Sequence, residues 1–177
     1  MNQINLSSNI GHSYYSGQGN NLNNYMQLNN IINLSNITEA NLTFVFKYNI
    51  EKDWDYAYVE VSTNNGSSFV KLNGSNTTDY DPNDVNEGSG ITDYSNGWRN
   101  AYFNLTPYIN NSILIRFRYV TDMAVSYEGI YFDNISIDTN RGAVFSDNGE
   151  YGSENWTLSG FSLYRGNYNI RFAINYS

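Results

Sequence analysis

Oxygen-bearing side chains gather at two points of this 177-residue chain. Glu51, Asp53 and Asp55 stand just before a run of aromatic and β-branched residues, and Asp81, Asn83 and Asp84 open the acidic stretch Asp81-Pro-Asn-Asp-Val-Asn-Glu-Gly-Ser-Gly-Ile91. Carboxylate and amide oxygens are the ligands of a hard cation, and calcium takes about six to eight of them. If that stretch folds back over the start of the run, these residues supply several oxygens to a structural calcium. Asp133 is the second candidate locus. Strict alternation places it on one strand face with Ile135 and Ile137, where a carboxylate needs a metal, an arginine or backbone amides as partner. The competing reading is a solvated acidic rim on an acidic protein.

The side chains of most catalytic chemistries are missing. The chain has no cysteine and a single histidine, His12, so it holds no thiol nucleophile and no HExxH segment, and no catalytic zinc is expected. A Ser-His-Asp triad would have to use His12, which reads as an ordinary strand-end histidine, and there is no G-x-S-x-G elbow. Asp53, Asp55, Glu60 or Asp133 could face a groove as a glycosidase pair, yet no spacing singles one out. The chain therefore reads as non-enzymatic. Arg116 and Arg118 alternate with Ile115, Phe117 and Tyr119 and share one sheet face; they read as partners of acids such as Asp122, Asp133 or Glu60, with ligand contact as the alternative. Trp54, Trp98 and Trp156, with Tyr14, Tyr15, Tyr56, Tyr58 and Tyr127, fit either a core or a flat platform for sugar rings. Trp98 reads as an indole capping the sandwich at a strand entry.

Positioning such groups requires strands, because helix signals are nearly absent and apolar residues alternate. In 55–61, Asp55, Ala57, Val59 and Val61 take one face and Tyr56, Tyr58 and Glu60 the other, the pattern of a strand with one buried face. Strands are expected over 12–15, 25–28, 31–34, 40–48, 55–62, 69–72, 99–104, 112–121, 130–138, 142–145, 156–158 and 169–174, punctuated by Asn-Gly and Asn-Asn-Gly turns. The fold class is all-β, a two-sheet jelly-roll sandwich forming one domain over 1–177. The long stretch 74–97 exceeds ordinary connections and needs a clamp if it is ordered. A net charge of −8 and a sequence pI of about 4.4 exclude nucleic acid as a natural partner. No apolar run suits membrane insertion, and Met1-Asn-Gln-Ile4 lacks the pattern of a signal peptide. Scarce lysine, absent cysteine and repeated Asn-x-Ser/Thr triplets, among them Asn33, Asn36, Asn41, Asn73, Asn76, Asn104 and Asn134, favour an excised module of a larger exported protein; these asparagines are glycan acceptors if the host glycosylates exported proteins, and chance occurrence in an asparagine-rich chain is the competing reading for most of them.

Several stretches, in order, carry a family resemblance: His12-Ser-Tyr-Tyr-Ser-Gly-Gln-Gly-Asn-Asn-Leu22, Tyr48 to Gly66 with Asp53-Trp-Asp-Tyr-Ala-Tyr-Val-Glu-Val-Ser62 inside it, Tyr80-Asp-Pro-Asn83, Gly90 to Trp98, Ile115 to Asp122, Gly129 to Ile135, Val144-Phe-Ser-Asp147 and Asn155 to Phe161. Together they resemble the non-catalytic β-sandwich domain of immune-inhibitor-A-like secreted zinc metallopeptidases. The resemblance implies a galactose-binding-like or MAM-like jelly roll at the cell surface or in the medium. It also implies that the peptidase chemistry lies in a separate domain bearing HExxH. The expected role is an accessory module serving folding, anchoring or substrate presentation, with the catalytic domain of the same protein as partner. A carbohydrate-binding module partnered by surface glycans is the alternative, and a structural adhesin domain the second.

Overall fold

The computed structural model describes residues 11–166, all of it strand, turn and loop apart from one 3-10 turn at Thr106–Tyr108. The strand expected over 169–174 lies outside the described residues. The strands are β1 (His12–Tyr15), β2 (Asn23–Leu28), β3 (Ile32–Asn33), β4 (Ala40–Asn49), β5 (Tyr56–Ser62), β6 (Val70–Lys71), β7 (Arg99–Asn104), β8 (Ser112–Val120), β9 (Gly129–Thr139), β10 (Gly142–Asp147), β11 (Trp156–Ser159) and β12 (Ser162–Arg165). β12 was not legible in the sequence, because Ser162-Leu-Tyr-Arg165 is too short and mixed to show a period.

The strands form two antiparallel sheets. One has the order β12-β1-β9-β4-β7, with β10 also pairing β9, and the other the order β11-β2-β8-β5-β6, with β3 also pairing β8. The chain crosses repeatedly from one sheet to the other, the arrangement of a jelly-roll sandwich. Alternation builds the core. In β4, Leu42, Phe44, Phe46 and Tyr48 point inward, and in β8, Ile113, Ile115, Phe117 and Tyr119 meet them. Phe44 sits at the centre, against Phe46, Phe103, Phe117 and Phe132 at centroid distances of 5.2–5.5 Å.

Two strands depart from simple alternation. Every residue of β5 is buried, because the 74–97 stretch lies over the face that alternation assigns to solvent. Its clamp is built from the chain itself. Ala57 and Ile91 exchange backbone hydrogen bonds of 2.9 and 2.8 Å, and the Glu87 N–H donates to the Tyr58 hydroxyl at 2.9 Å. The Glu87 carboxylate accepts from both terminal nitrogens of Arg118, at 2.8 and 3.1 Å, and lies 2.7 Å from Lys71 Nζ. Gly90 is seated so closely that a Cβ there would stand 2.5 Å from the Tyr56 ring.

In β9 the pairing with β4 shifts register between Thr43 and Val45, and Asn134 opposite takes a positive φ of 50°. This bulge inserts one residue and reverses the alternation. Ile130 and Phe132 face the core before it and Ile135 and Ile137 after it. Asp133 therefore shares the outer face with Tyr131, not the isoleucine face, which corrects the expectation from strict alternation. It is nonetheless only 3 % exposed, and its Oδ1 accepts the Asn134 N–H at 2.6 Å.

Candidate metal centre

Where the chain enters β5, the N–H groups of Trp54 and Asp55 both donate to the Glu51 carbonyl, at 3.4 and 3.0 Å. This single turn brings residues 51 and 55 together. Asp55 ends the core-facing row of β5 and is fully buried. Antiparallel pairing sets Tyr56 opposite Val120 on β8, so the chain leaving β8 passes beside the start of β5. The Asp122 N–H donates there to Asp55 Oδ1 at 2.9 Å. One carboxylate oxygen from each of Glu51, Asp55 and Asp122 lies within 4.8 Å of the others.

This cluster is short of positive charge and of donors. Among the described residues no lysine, arginine or histidine forms a salt bridge with any of the three. Asp55 Oδ2, Glu51 Oε2 and the hydroxyl of the fully buried Tyr119 have no hydrogen-bond partner. Burial, with the neighbouring charges of Asp122 and Glu51 added, raises the Asp55 carboxyl to about 6 against the opposing pull of the Asp122 N–H and the nearby Tyr119 hydroxyl. Burial and then the Asp122 charge raise Glu51 as well. Orphaned buried oxygens and crowded carboxylates are the features that a hard divalent cation relieves, so this donor set fits calcium.

Of the sequence candidates, Glu51 and Asp55 thus come together. Asp122, considered there only as a partner for arginine, is the missed member. Its signal was positional: Asp55 precedes one strand and Asp122 follows another, and antiparallel neighbours bring such ends together. Asp53, Asp81, Asp84 and Asp133 join no such group among the described residues. Asp53 adopts a positive φ of 64° in the 51–55 turn. The long stretch does fold back, with Asn83 Nδ2 donating to the Asp53 carbonyl at 3.0 Å, but Asp81 spends its Oδ1 on the N–H groups of Val85 and Asn86. Asp84, at a φ of 56°, serves the same turn.

The remaining chemical candidates are in structural positions. His12 opens β1, with Nδ1 3.0 Å from Glu150 Oε2. Arg116 bonds Glu60, itself 1 % exposed, and Arg118 bonds Glu87; of the three expected partners only Glu60 serves. Trp156 and Tyr14 are core, Tyr56 and Tyr58 are buried under the long stretch, and Trp54 and Tyr127 are exposed. Trp98 is 36 % exposed and packs by its edge on Tyr131, so it does not cap the sandwich.

Comparison with known proteins places this architecture. The model of the family described as immune inhibitor A-like, MAM domain, matches residues 5–166. Among curated proteins, the pre-pro-metalloprotease PrtV of two Vibrio cholerae serotype O1 strains is 31% identical over 150 residues, covering 85% of this chain and 15% of that protein. Immune inhibitor A of Bacillus thuringiensis subsp. alesti is 27% identical over 155 residues, covering 86% of this chain and 21% of the relative. The chain spans about a fifth or less of the length of these relatives.

Proposed function

The chain belongs to the immune inhibitor A-like MAM domain family, and on that premise we propose that it is a non-catalytic accessory module of an exported metallopeptidase or a related surface protein. It supports folding of the peptidase and presentation of its substrates outside the cell. The observation that carries this reading is the family match across nearly the whole sandwich, in a chain whose single histidine cannot complete a zinc-peptidase motif. Within it, Glu51, Asp55 and Asp122 hold a structural calcium that ties the start of β5 to the end of β8, with the Tyr119 hydroxyl beside Asp55. Such a tie fixes the sandwich edge in a chain that has no disulfide.

The accessory role is tested in a longer polypeptide that joins this module to its HExxH domain. Deleting the module is expected to cut the yield of folded, exported peptidase severalfold and to slow cleavage of a protein substrate. Turnover of a short peptide by the recovered enzyme should persist. Hydrolysis of casein by this 177-residue chain alone, or a deletion that leaves yield and protein cleavage unchanged, would contradict the reading.

A further inference from the structure

The two outer sheet faces differ. The 74–97 stretch and the Glu60–Arg116–Arg118–Glu87 ion pairs cover that of β5 and β8, whereas the outer face of β1, β9 and β4 carries a row of aromatic residues that is exposed at its flanks, Trp98 and Tyr164. Register explains the row. Tyr15 on β1 is opposite Tyr131 on β9, Tyr131 is opposite Lys47 on β4, and the Phe46–Arg99 pairing of β4 with β7 brings Trp98 level with Lys47. On β12 the row itself meets Ser162, opposite Tyr15, while Tyr164, two residues on and opposite Ser13, brings its ring to 5.4 Å from that of Tyr131. Adjacent strands are about 4.8 Å apart, so the row runs across the sheet with an aromatic ring or the Lys47 ammonium at nearly every step.

The rings make a trough. Tyr131 is the floor, 9 % exposed and stacked on Tyr15 at 4.5 Å and 15°. Trp98 and Tyr164 stand at 62° and 67° to it, with centroids 6.5 and 5.4 Å away. The depression they line with Ser13, Lys47 and Glu128 holds about 240 Å³, below the usual range for a drug-sized ligand and suited to a single ring with its chain continuing over the open edge. Trp98 and Tyr164 keep 36 % and 44 % of their surface exposed. Lys47 Nζ lies 5.4 Å from the Tyr131 ring centre and 3.3 Å from Glu128 Oε1, and Tyr15 donates its hydroxyl to the Glu128 carbonyl at 2.8 Å. The floor is therefore held in place before any ligand arrives.

We propose that this trough binds a neutral pyranose unit of a glycan. The aromatic surfaces pack against the apolar C–H face of the sugar ring, while Lys47 donates to and Glu128 accepts from its hydroxyls. The ammonium and carboxylate cancel within the trough, so no net charge calls for a charged ligand, and the net charge of −8 on the whole chain opposes anionic polysaccharides.

Calorimetric titration of this chain with cellohexaose, chitohexaose, maltohexaose and mannohexaose tests the proposal, with polygalacturonate as the charged control. At least one neutral hexaose is expected to bind, with affinity reduced tenfold or more in Trp98→Ala and in Tyr164→Ala. Both sites are exposed, so melting temperatures should stay near the parent's. Trp54→Ala, another exposed tryptophan away from the trough, should bind as the parent does. Failure of all four sugars, binding of polygalacturonate alone, or equal loss in Trp54→Ala would overturn the proposal. Protection of residues 45–47 from hydrogen exchange in a longer polypeptide carrying the peptidase domain, without any sugar binding, would assign the face to an interdomain seam and overturn it as well.

Discussion

Asp55 illustrates how one side chain is set against its own charge. Its folded pKa is raised to about 6, above the ordinary aspartate value near 3.9 that it has when unfolded. Between those values the folded, metal-free protein binds more protons than the unfolded chain, so stability falls as pH rises through the window. Asp133, also raised to about 6 by burial, acts in the same direction. In chelator, the melting temperature is therefore expected to fall from pH 4 to pH 7. Asp55→Asn should remove its share, on the order of 2 kcal/mol, and melt above the parent at pH 7. A flat parent profile, or the same slope in the variant, would contradict this. The sequence placed Asp55 on one face with Ala57, Val59 and Val61 and offered it as a metal ligand. Its partner's identity depended on which strands pair, and alternation within one strand carries no such information.

At the scale of elements, the 74–97 stretch behaves as a covering layer held by a few polar clamps. Arg118 and Lys71 hold the Glu87 carboxyl down at about 2, below its unfolded value. That contribution is therefore present above about pH 4.5 and is lost as pH falls toward 2. Glu87→Gln removes it. The expected cost is about 1 kcal/mol, discounted for the exposure of the carboxylate, together with severalfold faster limited proteolysis within residues 79–89 at neutral pH. Unchanged cleavage would show that backbone pairing at Thr78–Gly90 and Ala57–Ile91 suffices without the ion pair. Most strands were legible because period-2 alternation over six or more residues has few other readings. β4 and β8 are clear cases. The cover over β5 and the β9 bulge were not legible. The first depends on a contact between segments distant in sequence, and the second on one asparagine among many that takes the left-handed conformation at Asn134.

The whole molecule is a sandwich with no disulfide and a strongly aromatic core. An acidic knot lies at one strand junction and an aromatic trough on one outer face. No helix among the described residues is long and apolar enough to cross a membrane. The proposed calcium at Glu51, Asp55 and Asp122 would complete the module's edge, and thermal unfolding at pH 7 in excess calcium against excess chelator is its test. A ligand that binds only the folded state raises stability with the logarithm of its saturation. A rise of several degrees is expected for the parent, with loss of that rise in Asp55→Asn and Asp122→Asn and its retention in Asp81→Asn. An unchanged parent melting temperature, or a response that survives in Asp55→Asn and Asp122→Asn and vanishes in Asp81→Asn, would contradict it.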